Sequence, residues 1–412
     1  MTTSATIHRV SEGRLEPRER RRVLLVIAVT QLVVALVTGL VVRTTYEKLD
    51  ENINEGREPE HRVKKHPLAD GEALNILVMG SDTRVGAGND LDGQTDIGQR
   101  SDTTILVHIS ADRKTVYGVS LPRDAMVARP DCKDADGKVV PGADLDIFNA
   151  AFSLAGPSCT AAQVEALTGL YIDHYVTVDF NGFKDMVDAV HGVTVCIPED
   201  VDDSAHGITF HAGTQQLSGQ QALNYVRERY VLSANSDIGR MKRQQAFIAS
   251  MINKVVSAGT LTRPSRVYNF LKAATGSITT DPGLASLSKL VNLAWQFRKT
   301  NLDNIEFITV PFEEYPPDHN RLIWSESAKG LWKVILNDEP LPKRYKEQVI
   351  SANKPPGSPS GTASGTASGT ASGSASGSAS SSASAPSSPS TGSTSSPSAG
   401  QEQTADENGL CA

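Results

Sequence analysis

The chain has 412 residues, a formal net charge of −7 and 39% hydrophobic residues. An acidic balance excludes a general nucleic-acid binder, so any basic cluster must be local. Four cysteines in so long a chain exclude a disulfide scaffold, and the length implies segments of different character rather than one core.

Residues 1–22 are polar and carry Arg9, Arg14, Arg18, Arg20, Arg21 and Arg22. Val23 to Val42 is an uncharged run of twenty residues. At 1.5 Å each, twenty helical residues span about 30 Å, the thickness of a bilayer core. No small-x-small cleavage site precedes Arg43, so the run is expected to be an uncleaved signal-anchor. The arginines before it predict a cytoplasmic N-terminus, with everything after Arg43 outside the cytoplasmic membrane. Residues 43–70 are charged, contain Pro59 and Pro67, and read as a stalk.

Residues 71–350 read as one extracytoplasmic domain, with its densest signals in 71–250. Short apolar runs predict strands at 75–80, 103–109, 115–121, 174–179 and 192–198. Helical spacing covers 159–170 and 181–190, with Asn181 as N-cap of the second. Helices around 284–295 and 325–336, with a strand at 304–311 between them, complete the domain. Strands interleaved with helices imply an α/β layer structure. Val85 to Gln99 is a polar insertion between the first two strands and reads as a mobile loop. In the segment 351–412, composition collapses from Pro355 onward to Ser, Gly, Ala, Thr and Pro, from which no core forms. Cys132 and Cys159 flank the 146–157 stretch and are the favoured disulfide pair among three connectivities. Cys196, within a strand pattern, reads as a buried apolar residue, and Cys411 as a free thiol.

The chain is organised around residues 223–245, which gather Arg227, Arg229, Arg240, Lys242 and Arg243. A helix over 237–257 puts Asp237, Arg240 and Gln244 on one face with Arg243 beside them. Arg227 and Arg229, two apart, point the same way only if the chain is extended there. The expected arrangement is a helix ending near Tyr225, a loop carrying two arginines, and a second helix carrying two more. Guanidinium forks match phosphate or carboxylate oxygens bidentately. The plain alternative is a solvated basic face laced with ion pairs.

Three polar motifs bound the early strands: Gly80-Ser-Asp-Thr-Arg84, Arg100-Ser-Asp102 and Pro122-Arg-Asp124. Open α/β sheets place ligands at strand ends. Asp82, Arg84, Arg100, Asp102 and Arg123 are therefore expected to converge with Arg227, Arg229, Arg240 and Gln244. Asp82 and Asp102 form a carboxylate pair suited to Mg²⁺ or Mn²⁺. The arginines suit a polyanion, and a metal-bridged pyrophosphate satisfies both charge types.

These motifs, with Asn149-Ala-Ala-Phe152, Asp173-His-Tyr175, Arg227-Glu-Arg229 and Asp237-Ile-Gly-Arg-Met-Lys-Arg-Gln-Gln245, occur in this order behind a signal-anchor. In that order the chain resembles the LytR–CpsA–Psr family of cell-wall ligases. The resemblance implies a three-layer α–β–α sandwich with a central mixed sheet, holding a polyprenyl (pyro)phosphate whose lipid lies in an apolar tunnel. It implies transfer of a phosphorylated glycopolymer from an undecaprenyl-pyrophosphate carrier to the muramic-acid 6-hydroxyl of peptidoglycan. Arg100, Arg123, Arg227, Arg229 and Arg240 would hold the pyrophosphate, with Arg84, Arg243 and Gln244 as further substrate contacts. Asp82 and Asp102 would hold the metal, and Asp237 would orient an arginine. Three other readings stand beside it: a polyprenyl-pyrophosphate phosphatase, a non-enzymatic regulator of the kind labelled transcriptional attenuator, and a lipid-carrier binding module without chemistry, which the metal aspartates oppose. About twenty-two cytoplasmic residues without a helix-turn-helix oppose DNA binding.

Overall fold

The computed structural model describes residues 17–65, 71–81, 101–204, 207–228, 237–257, 263–297, 300–356 and 410–411. The first element is a 34-residue helix, α1 (Pro17–Asp50), long and apolar enough to cross a membrane. After β1 (Asn54–Glu55) come β2 (Leu74–Ser81), β3 (Ser101–Ile109) and β4 (Val116–Leu121). Two hairpins follow, with β5 (Met126–Arg129) pairing β8 (Ala143–Ile147) around the smaller β6 (Cys132–Lys133) and β7 (Val139–Val140) pair. Then come α2 (Ala150–Thr168), β9 (His174–Asp179), α3 (Phe180–Ala189) and β10 (Val193–Ile197). The next run is β11 (Val201–Asp203), β12 (Ile208–Phe210), β13 (Gly213–Leu217), α4 (Gly219–Arg227) and α5 (Asp237–Ser257). It continues with α6 (Pro264–Thr275), β14 (Ile278–Thr280), α7 (Leu287–Gln296) and β15 (Ile305–Thr309). A β16 (Phe312–Tyr315) and β17 (Asp318–Trp324) hairpin, α8 (Glu326–Leu336), α9 (Lys343–Lys346) and β18 (Ile350–Ser351) close the domain.

Eight strands form one mixed sheet in the order β1-β14-β9-β2-β3-β4-β15-β18. β2 runs parallel to β9, β4 runs parallel to β15, and β3 lies antiparallel between β2 and β4. The strands β2, β4, β9 and β15 therefore share one direction, and Ser81, Leu121, Asp179 and Thr309 all end at one edge.

Alternation along the strands sorts side chains into two covered faces. Leu77, Met79, Leu106, Val119 and Leu121 pack against Phe152 and Val164 of α2 and against Leu331 and Trp332 of α8. Ile76, Ile109, Val116, Ile305 and Phe307 pack against Ala246 and Ala249 of α5, with Leu293 of α7 beside them. The result is the three-layer α–β–α sandwich implied by the resemblance. A further apolar cluster outside the sheet joins β10, α3, α4 and Phe247 of α5. The 192–198 strand belongs here: β10 pairs with β13 and not with the sheet.

Several local expectations change. Asp179, not Asn181, caps α3 by accepting a hydrogen bond from the Gly182 amide at 2.7 Å. α2 starts nine residues before the predicted helix, because helical geometry breaks only at Gly156 (φ 77°), where the chain turns and restarts at Pro157. Residues 43–65 are not a free stalk. α1 continues to Asp50, β1 pairs with β14, and Leu49 and Ile53 pack with Ile278 and Leu287. Beyond them the Glu165 carboxylate, 1% exposed, accepts from the Arg62, Val63 and Ile172 amides and pairs with His61.

Cys132 and Cys159 form a disulfide that ties the β6–β7 hairpin to α2. Cys196 and Cys411 form a second. The expectation of a buried thiol at one and a free thiol at the other therefore gives way. Strand β10 brings Cys196 to the place where Leu410 packs against the α5 face of the sheet.

Candidate functional site

The cleft at the shared strand edge is built from the ends of β3 and β4 and the first turns of α5. Gln245, fully buried, donates through Nε2 to Ser120 Oγ (2.8 Å) and Thr309 Oγ1 (3.0 Å). That side chain pins α5 across the ends of β4 and β15. One turn earlier, Arg240 is 2% exposed, and Gln244, four residues on, shares its face. Asp102, Arg123, Asp124, Arg240, Gln244 and Leu322 line one cleft there, closed to about 10 Å³. Gln244 Nε2 also donates to the Val226 carbonyl at 3.2 Å, linking the cleft to the end of α4.

A chain of alternating charges fixes the other wall. Arg123 Nη1 donates to Asp102 Oδ1 (2.5 Å), and Arg123 Nε donates to Asp124 Oδ2 (3.0 Å). The other oxygen of Asp124 accepts from Arg321 Nη1 at 2.7 Å. Asp102, Arg123 and Asp124 are each about one-fifth exposed, so the pairing orients guanidiniums rather than adding much stability. Asp102 itself owes its position to a register shift. Gly80 pairs with Thr103 and Ser81 with Ser101, which leaves Asp102 as the extra residue of a β-bulge. Bulges re-aim side chains next to sites. Asn149 holds this bulge from behind: its Oδ1 accepts from the Ser101 amide (3.2 Å), and its own amide donates to the Arg123 carbonyl (3.0 Å).

Arg227 is the last residue of α4, not part of an extended loop. Its guanidinium lies 4.9 Å above the Phe180 ring, just beyond the Asp179 end of β9. It stands at the same sheet edge but does not line the closed cleft. Arg243 points away from the cleft. It is fully buried, its Nη2 donates to the Glu228 carbonyl, and its guanidinium lies 3.6 Å from the Glu228 carboxylate. Burial lowers the Arg243 pKa, with Tyr225 and Glu228 opposing that shift, and burial pushes Tyr225 up to about 12. Arg243 thus serves the fold rather than the expected substrate contact, because its helix position faces the α4 side. Asp82, Arg84, Arg100, Arg229, the Asp237 side chain and the 85–99 insertion lie outside the described residues.

A second, larger cavity of about 490 Å³ opens beside Ser81. The α2 turn (Phe152, Ala155, Pro157), Tyr175, Thr177 and Arg57 line it. Sequence reasoning missed Arg321, Gln245 and Asn149 as parts of the site. Asn149 and Gln245 had a signal, their places in ordered motifs; Arg321 comes from a hairpin with no motif. Among the described residues no group of three or more His, Cys, Asp or Glu is placed to hold a metal. Asp102 offers from the bulge carboxylate oxygens of the kind a hard divalent cation takes, while Asp82, the other candidate ligand, lies outside the described residues.

A profile of the LytR_cpsA_psr family matches residues 37–335. The chain belongs to the LytR–CpsA–Psr family. Among curated relatives, the cell wall biosynthesis protein LcpA of Corynebacterium glutamicum is 33% identical over 267 residues, covering 59% of this chain and 50% of that protein. The chain thus spans about half the length of that relative. A protein of Enterococcus faecalis named polyisoprenyl-teichoic acid–peptidoglycan teichoic acid transferase TagU is 31% identical, covering 63% of this chain and 80% of that one. Among solved structures, a LytR-Csp2A-Psr enzyme from Actinomyces oris superposes with a TM-score of 0.50 at 22% identity, over 69% of this chain and 96% of its own. That likeness concerns the fold, and the sandwich described above is the LytR–CpsA–Psr fold. Within this family member the ordered motifs fall at the sheet edge: Ser81, Ser101–Asp102, Arg123–Asp124 and Asn149 meet there, and Arg240 and Gln244 close over them.

Proposed function

We propose that this LytR–CpsA–Psr protein is a membrane-anchored phosphotransferase that moves a phosphorylated glycopolymer from an undecaprenyl-pyrophosphate carrier to the muramic-acid 6-hydroxyl of peptidoglycan. The observation that supports the reading best is the cleft in which Arg123 and Arg240 meet Asp102 and Gln244 at the strand edge. The transferase name of the enterococcal relative points the same way. α1 serves as the anchor, with the arginine-rich residues 1–22 in the cytoplasm and the sandwich outside.

In this reading the acceptor oxygen bonds to the polymer-side phosphorus, the anhydride P–O bond breaks, and lipid monophosphate leaves as the hydroxyl proton is released. Such transfers depend on alignment and charge stabilisation more than on a covalent enzyme intermediate. Arg240, nearly stripped of water and carried on a helix pinned by Gln245, grips phosphate oxygens without reorganising. Arg123, held by Asp102 and Asp124, stands beside it in the same cleft. Arg227 and Gln244 extend the clamp toward α4. Asp82 and Asp102 would hold Mg²⁺ or Mn²⁺, which when bound supplies positive charge to the phosphate oxygens. The cavity beside Ser81 is the candidate recess for the carrier's first isoprene units.

The test is a transfer assay with a polyprenyl-linked donor and peptidoglycan acceptor. Arg240→Ala deletes a bidentate grip on phosphate, two charged hydrogen bonds together worth about 3–6 kcal/mol, or a 10²–10⁴-fold fall in kcat/KM. Chelation is expected to suppress the same turnover. Near-wild-type transfer by Arg240→Ala overturns the clamp, unchanged turnover in excess chelator removes the metal, and release of free polymer without attachment favours a phosphatase.

A further inference from the structure

Where α1 meets the domain carries the inference. Val42 ends the apolar run, and Thr45 is the first residue of α1 that the domain shields; Leu49 is buried. Three helical residues rise about 5 Å, which is within the headgroup layer of a bilayer. The contact is made by α6 and α7: Leu49 and Ile53 pack with Leu271 of α6 and with Leu287 and Leu290 of α7. Asp50 Oδ1 accepts from the Leu287 amide at 2.6 Å, locking the end of α1 to the start of α7.

Beyond that joint, Leu287, Val291 and Trp295 form one stripe of α7 at four-residue spacing. Leu287 is covered by α1, whereas Val291 and Trp295 are exposed, Trp295 to 64%. On α6, Tyr268 and Lys272 are exposed one turn apart, with Leu271 beside Lys272 turned to the α1 joint. Charge is skewed along the same stretch of chain. Residues 258–300 hold Arg263, Arg266, Lys272, Lys289, Arg298 and Lys299, against a single acid, in a chain with more acids than bases. That acid, Asp281, is buried and spent on His174 and the Tyr175 amide. Trp and Tyr prefer the membrane interface, and basic residues favour anionic headgroups.

We propose that the exposed face of α6 and α7 rests on the outer surface of the bilayer, with Trp295, Val291 and Tyr268 in the headgroup layer and the flanking Lys and Arg on anionic phospholipid. This rests on α1 being the transmembrane anchor. It makes the domain a seated body rather than one on a tether, and so fixes the height of the arginine cleft above the lipid from which its donor comes.

The experiment uses the full chain reconstituted into nanodiscs of phosphatidylglycerol brominated near the headgroup end of the acyl chains. The three tryptophans are Trp295, Trp324 and Trp332; Trp332 is buried and Trp324 is partly buried against the same core. Brominated lipid is expected to quench about a third of the tryptophan emission, and Trp295→Phe to abolish that fraction. Hydrogen exchange at 265–275 and 287–297 is expected to be slower in the disc than in detergent. Incorporation with no quenching, or equal fractional quenching in Trp295→Phe, overturns the seated face while leaving the anchor intact. Failure of the folded chain to enter discs at all overturns the anchor, and the proposal with it.

Discussion

Replacing Glu165 by alanine tests how the segment after α1 is held against the domain. The carboxylate accepts from the Ile172 amide at 2.9 Å in a buried setting, from the Arg62 and Val63 amides, and from His61. These losses do not have the same fate. The Ile172 amide stays inside the domain without its acceptor, and a buried unsatisfied donor costs about 1–3 kcal/mol. The amides of Arg62 and Val63 can instead turn to water if residues 57–63 lift off. Their loss then appears as local opening, worth about 1.5–3 kcal/mol for bonds to a charged acceptor. Urea unfolding of the detergent-solubilised chain should therefore show about 1–3 kcal/mol of global destabilisation. Hydrogen exchange at residues 62 and 63 should accelerate by about 10–100-fold. Glu165→Gln should fall between, because one carboxamide end presents donors to donors. Unchanged exchange at 62–63 together with an unchanged urea midpoint would refute the assignment of Glu165 as the clasp.

Asn149→Ala removes the acceptor of the Ser101 amide, so about 1–3 kcal/mol of stability should go, with transfer activity falling further as the Asp102 bulge loosens; equal losses of Asn149→Ala and Asn149→Asp would count against a bulge-holding role. Gly182→Ala places a methyl group into Ser277, against backbone as well as side chain, and should cost about 3 kcal/mol or more by thermal unfolding. Burial pushes Tyr175 up to about 12, and its hydroxyl donates to the Arg57 carbonyl at 2.6 Å. A raised folded pKa means that the contribution is complete below the unfolded value near 10 and is lost as pH climbs from 10 toward 12. The stability gap between wild type and Tyr175→Phe should shrink across that window and stay flat between pH 6 and 9.

The legible part of the fold was its period. Strands of four to nine residues with two covered faces produce short apolar runs, and 75–80, 103–109, 115–121 and 174–179 stand within a residue or two of β2, β3, β4 and β9. The helix from Asp237 to Ser257 has its expected bounds. What failed did so where tertiary partners decide. Arg243 has the same side chain and nearly the same helix position as Arg240, but its azimuth faces Glu228 instead of the cleft. Arg227 sits in a helix because α4 continues two residues past Tyr225. Residues 43–65 look like a spacer by composition, yet a buried carboxylate more than a hundred positions away fastens them. Asp102 was singled out by its motif; the bulge that aims it is a property of pairing with β2 and has no local signature.

The Cys196–Cys411 bond gives the chain a closed circuit. Strand β18 holds Ile350 and Ser351 in the sheet on one side, and β10 holds Cys411 on the other. Both ends of the stretch between them are thus fastened to the domain. A protease that cuts once within it releases nothing: the fragments stay joined until a reductant is added, and only then does the band on a gel split. A tag appended after Ala412 would follow Cys411 by one residue and so stay bonded, through that disulfide, to β10.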